Sequence, residues 1–152
     1  MNPELGGDPS YLDILGFNYY YNNQWEHNGL NYVWPTHAGK LEPLSSLLLI
    51  AHNRYRRPMV ITETGHFGDG RADWFEQIIP ECLHAINLGI DLQGVCLYPL
   101  IGRPDWDNPE HYHESGLWDI DNAFKQRIVH QPLLNIIKQF QAFYKQETVL
   151  NL

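Results

Sequence analysis

Positive charge is scarce. Lys and Arg number 10 against 18 Asp and Glu, which leaves a net charge of −8 over 152 residues, and the cations form no stripe. Neutralising a phosphate backbone needs the opposite balance, so nucleic acid is not an expected partner. Long apolar runs are also lacking. The longest, Leu47 to Ala51, is far too short to span a bilayer, so no membrane partner is expected. The opening MNPELGGDPS has no basic stretch followed by an apolar one and does not read as a secretory signal. Cysteine occurs twice, as Cys82 in a helix-like segment and Cys96 in a strand-like one. Two buried free thiols are expected rather than a disulfide, which suits a reducing cytoplasm. Repeats, low-complexity tracts and linker-like stretches are absent.

What is present is the composition of a globular chain, 43% hydrophobic and 18% charged. Its length suits one ordinary domain over residues 1–152. Aromatic residues are plentiful: five Trp, nine Tyr and six Phe. Several, among them Trp25, Trp34, Trp106 and Trp118, flank turn signals instead of joining periodic apolar runs. Each such ring either packs ordinarily or offers a flat wall to a sugar ring.

Strand and helix signals alternate three times. YLDILGFNYY, Tyr11 to Tyr20, reads as a strand, and a polar-aromatic loop follows to Glu42. A helix is expected from Pro43 through SSLLLIAHNRY, ending before Arg57-Pro58. Pro58 to Thr62 is the second strand, followed by a loop with three glycines between Thr64 and Arg71. Asp73 and Glu76 resemble a capping box opening a helix that runs to Gly89, with Pro80 expected to kink or split it. Gly94 to Leu100 is the third strand, and a long loop spans Ile101 to His130. Pro132 opens the last helix, whose apolar Leu133, Leu134, Ile137, Phe140 and Tyr144 recur at helical spacing. Such alternation predicts an α/β fold with a parallel sheet, whose working residues gather at the strands' C-terminal ends. Glu63 lies at one such end, directly after Met59-Val60-Ile61-Thr62.

The segments DILGFNYY, RPMVITETG and GVCLYPLIGRPDW, in that order, resemble the last three barrel strands of glycoside hydrolase family 1, over roughly Leu5 to Asp121. The resemblance implies a partial (β/α)8 barrel, the last three strand–helix units, from a retaining β-glycosidase of β-glucosidase type. Ile61-Thr62-Glu63-Thr64-Gly65 matches the family's nucleophile strand, usually I-T-E-N-G, which puts Glu63 on the nucleophile and Thr64 in place of Asn. Gly16-Phe17-Asn18-Tyr19-Tyr20 matches the G-x-N-Y-Y strand. Tyr20 then falls on the tyrosine that hydrogen-bonds the nucleophile, and Asn18 lies beside the same sugar subsite. The third strand matches W-S-L-L-D-N-F-E-W, with Tyr98 for the first Trp, Asp105 for the sugar-binding Glu and Trp106 for the second Trp.

Retaining glycosidases use two carboxyl groups, one attacking the anomeric carbon and one protonating the leaving group. In the resembled family the acid follows an asparagine at an earlier strand's end, and no Asn-Glu pair occurs in this chain. A full barrel has eight strand–helix units over about 250 residues. The chain is therefore expected to be a truncation, one subunit of a split enzyme, or a self-associating half-barrel. Its expected partners are a carbohydrate and the missing N-terminal barrel segment or a second copy. A non-catalytic carbohydrate-binding or structural half-barrel is the alternative. His111, His113 and Glu114 crowd one loop, but their spacing fits neither H-E-x-x-H nor a zinc loop, so no metal and no cofactor is expected.

Overall fold

In the computed structural model, which describes residues 3–121 and 125–150, each of the three apolar runs forms a strand. The described residues fall into two units, Met1–Thr64 with Glu81–Cys96, and Gly65–Pro80 with Leu97–Leu152. No helix among them is long and apolar enough to cross a membrane.

The first unit begins with β1 (Leu15–Asn18), the short antiparallel pair β2 (Gln24–Trp25) and β3 (Asn31–Tyr32), then α1 (Leu44–Tyr55) and β4 (Met59–Thr64). The chain continues through α2 (Gly70–Asn87) to β5 (Leu92–Leu97). The sheet order is β1-β4-β5, with β1 parallel to β4. β5 starts at the same end as β4, since the Met59 amide donates to the Asp91 carbonyl at 2.8 Å. Helices in the crossovers are what parallel neighbours require.

Strand limits differ from the sequence expectation. Pro9–Tyr11 forms a 3₁₀ turn, so β1 is shorter than Tyr11–Tyr20. β4 extends past Thr62 to Thr64, because Glu63 pairs with Asn18 and its carbonyl accepts the Tyr19 amide at 2.9 Å. β5 stops at Leu97 instead of Leu100, two residues before Pro99, which has no amide to give to a ladder. Met59 and Ile61 are fully buried, each worth roughly 1.5–3 kcal/mol of apolar burial.

α1 places Leu44 and Leu48, one turn apart, in the core. Pro43 sits at its N-cap and not at the first helical position, and it has no side chain to cap with. Glu81 supplies the cap from α2, accepting the Ser45 amide at 3.1 Å and the Ser45 hydroxyl at 2.5 Å. A carboxylate there also complements the positive end of the helix dipole. Arg56 ends the helix at φ 51°, and Pro58 keeps the chain from resuming it. α2 starts at Gly70, so Asp73 lies in its first turn and not at its N-cap, and the helix runs unbroken through Pro80. Both cysteines are free. Cys82 is buried, which pushes its thiol up to about 12, whereas Cys96 is exposed, contrary to expectation.

In the second unit the expected loop from Ile101 to His130 holds two antiparallel pairs. β6 (Arg103–Pro104) pairs with β7 (Tyr112–His113), and β8 (Trp118–Asp121) with β9 (Gln126–Val129). β6 and β7, of two residues each, carry no periodicity to read. α3 (Gln131–Leu150) follows, with Pro132 second in the helix, Leu133 fully buried, and Leu134, Ile137 and Phe140 half-buried. The expected apolar side chain of Tyr144 lies outside the described residues.

Arg71, almost fully buried, ties this unit together. Its Nε donates to the Gly68 carbonyl at 2.7 Å, and its Nη1 to the Gly116 carbonyl at 2.8 Å and Asp119 Oδ2 at 2.7 Å. His130 caps α3, its Nδ1 accepting the Leu133 amide at 3.3 Å. Burial, then the Arg71 charge, hold His130 below its ordinary 6.5, against the opposing carboxylates of Asp119, Asp69 and Glu114. A histidine lowered in this way stabilises the fold fully above its unfolded value, and that contribution is lost as pH falls through the folded one. Acidification from above the ordinary histidine value to below it is expected to lower stability as the imidazole gains a proton and stops accepting the Leu133 amide. His130→Asn keeps a cap and is expected to flatten this part of the pH profile in denaturant titrations. An unchanged slope would contradict the capping role.

Candidate active site

Local irregularity sets the first group of site residues. Phe17 pairs with Ile61 and Asn18 with Glu63, so Thr62 is an extra residue in β4. Such bulges are uncommon in parallel pairs and re-aim the next side chain. Gly16 makes room for it, since a Cβ there would press on the Thr62 methyl at 2.9 Å. The Thr62 hydroxyl donates to Asn18 Oδ1 at 2.7 Å. Glu63, half-buried, receives the Tyr20 hydroxyl on Oε2 at 3.0 Å. Asn23 clamps the backbone of Tyr20, its Oδ1 accepting the Tyr20 amide at 2.5 Å while its own amide donates to the Tyr20 carbonyl at 3.2 Å. The structure thus brings Asn18, Tyr20 and Glu63 together. Thr62 and Asn23 were not anticipated. The N-N-Q run after Tyr20 was a turn signal that would have pointed to Asn23.

Tyr98, Asp105 and Trp106 belong to the second unit. Tyr98 is half-buried, and a Cβ on Gly65 would overlap its carbonyl oxygen, so only glycine fits directly after the Glu63-Thr64 pair. Asp105 directly follows β6 at the base of the β6–β7 connection, its amide donating to the His111 carbonyl at 2.8 Å. Its Oδ1 accepts the Asp107 amide at 2.8 Å and the Asn108 amide at 3.1 Å, and its Oδ2 lies 3.2 Å from His113 Nε2. Those two amides, more than the imidazoles of His113 and His111, hold its carboxyl below the usual range. Trp106 is 74% exposed, with the Arg103 guanidinium over its ring at 4.8 Å. Arg103 is a further hairpin residue that the sequence did not single out, whereas His113 stood out there as part of a loop dense in hydrogen-bonding groups. His111 and His113 meet edge to face at 5.6 Å. Among the described residues no group of three or more His, Cys, Asp or Glu is arranged to hold a metal ion.

The fold matches part of a β-glucosidase barrel. The β-glucosidase from Thermotoga maritima in complex with glucoimidazole superimposes with a TM-score of 0.65 at 21% identity, over 84% of this chain and 35% of that one. Family 1 β-glucosidase from the same organism in complex with isofagomine lactam gives 0.63 at 21%, over 82% and 33%. Hyperthermophilic β-glucosidase from Pyrococcus furiosus gives 0.62 at 20%, over 86% and 33%. The chain therefore spans about a third of the length of these structures. No family model and no curated protein matches it.

Proposed function

We propose that the chain is the last three strand–helix units of a retaining β-glycosidase barrel, with Glu63 as nucleophile and Tyr20 orienting it. Asn18, Tyr98, Asp105 and Trp106 serve as sugar contacts in this reading. The observation that carries it is the 3.0 Å bond from Tyr20 Oη to Glu63 Oε2 at the C-terminal end of β4. In such an enzyme Glu63 attacks the anomeric carbon and the glycosidic C–O bond breaks. The leaving oxygen takes a proton from a second carboxyl about 5–5.5 Å away, and water then releases the sugar. That second group is supplied by the strand–helix units that precede these three in a full barrel, in one chain or as a partner. Free thiols on α2 and β5 support a reducing compartment.

A second reading is a non-catalytic sugar-binding piece. Both readings need a sugar site. Glucoimidazole, bound by the Thermotoga maritima β-glucosidase, is expected to shift the amide resonances of Tyr20 and Glu63 and the indole resonance of Trp106 in the 152-residue chain. Shifts confined to other residues, or none at millimolar ligand, contradict the assignment.

A further inference from the structure

The carboxylate of Asp105 is largely occupied within its own hairpin. A carboxylate offers about four acceptor positions, two on each oxygen. The Asp107 and Asn108 amides fill those of Oδ1, and His113 Nε2 takes one on Oδ2. One position on Oδ2 remains for a ligand. His113 is held from three sides. Asp105 faces Nε2, the Phe67 ring lies 5.4 Å from the imidazole, and His111 sits edge-on at 5.6 Å. Arg103, opposite His113 in the hairpin register, does not compete for the carboxylate. Its Nη1 donates to the Pro104 carbonyl at 2.8 Å and its guanidinium covers Trp106. The hairpin thus keeps a carboxylate–imidazole pair apart from a guanidinium–indole pair.

We infer that His113 is a positioning residue for sugar recognition, fixing Asp105 so that its Oδ2 accepts from a single sugar hydroxyl. The inference rests on the sugar-binding role proposed above for Asp105. A shorter carboxylate than glutamate, tied at three of its four acceptor positions, cannot follow a mobile ligand. It presents one acceptor in one place, and His113 decides where.

The test is calorimetric or NMR titration of the whole chain with glucoimidazole. His113→Ala is expected to weaken binding about tenfold, the scale of a hydrogen bond to a charged group. His113→Gln, whose amide replaces the Nε2 donor, is expected to recover most of that loss. In an Asp105→Ala background His113→Ala is expected to have no further effect, an outcome that general loosening of the hairpin would not produce. If Trp106→Ala and Glu63→Gln weaken binding while His113→Ala does not, or if His113→Ala acts equally with Asp105 removed, the positioning role is overturned and the sugar site stands. If the unaltered chain does not bind glucoimidazole, the sugar site itself is overturned, and the role of His113 falls with it.

Discussion

Glu63→Gln is expected to lower turnover of an aryl β-glucoside by the completed barrel on the order of 10⁴–10⁶-fold, the scale of losing other enzymatic nucleophiles. The completed barrel here means this chain joined to preceding strand–helix units, one of which ends in Asn-Glu. The amide keeps the size of the side chain and accepts the Tyr20 hydroxyl, but it does not attack carbon. Tyr20→Phe removes the 3.0 Å bond to Oε2 and is expected to cost roughly 10–100-fold, corresponding to about 1.5–3 kcal/mol for a hydrogen bond to a charged group. The order matters as much as the sizes. A phenol that orients a nucleophile loses less than the nucleophile does, and the two losses together should fall short of their product. Equal effects of the two substitutions would mean that Tyr20 does more than orient, and a small effect of Glu63→Gln would remove it from the reaction.

Arg71→Ala is expected to destabilise the second unit by about 3–5 kcal/mol in denaturant titrations. Its guanidinium replaces hydration with two carbonyls and a carboxylate. Removing it strands Asp119, whose other oxygen, Oδ1, is buried with no hydrogen-bond partner. The loss is a large share of the 5–15 kcal/mol that holds an ordinary domain folded. Arg71→Ala combined with Asp119→Asn is expected to lose less than the sum of the two single changes, because the stranded charge is then gone. Additive losses, or a single-variant loss below about 1 kcal/mol, would show that the pair is a surface-like contact of little worth.

The site was legible where it is local. The Ile61-Thr62-Glu63-Thr64-Gly65 run reads as a strand delivering a carboxylate, and the likeness of Gly16-Phe17-Asn18-Tyr19-Tyr20 to the G-x-N-Y-Y strand implies its partner. What stayed hidden depends on residues far apart in the chain. The Glu81 cap reaches Ser45 over 36 positions, and Arg71 reaches Asp119 over 48. No window of sequence contains either pair. The bulge at Thr62 was hidden for another reason: a skipped pairing register leaves the residues of one strand unchanged and shows only against its neighbour. Capping signals misled where stronger interactions decided the boundary. Asp73 and Glu76 have the right spacing for a capping box, yet α2 already starts at Gly70, where Arg71 is anchored to Gly68. The β6–β7 hairpin is too short to show a pattern, and glycine packing fixes the connection from β7 to β8 at Gly116, where a Cβ would overlap the Gly102 amide.

Glu63 is proposed above as the residue placed to attack a glycoside. The most direct measurement is covalent trapping. The completed barrel is incubated with a 2-fluoro glycoside bearing a good leaving group, which accumulates the glycosyl-enzyme, and the labelled peptide is mapped by mass spectrometry. One sugar is expected on the peptide containing Met59–Thr64, on Glu63, and none on the Glu63→Gln variant. A sugar on Asp105, Glu114 or any other carboxylate, or undiminished labelling when Glu63 is replaced, would contradict it.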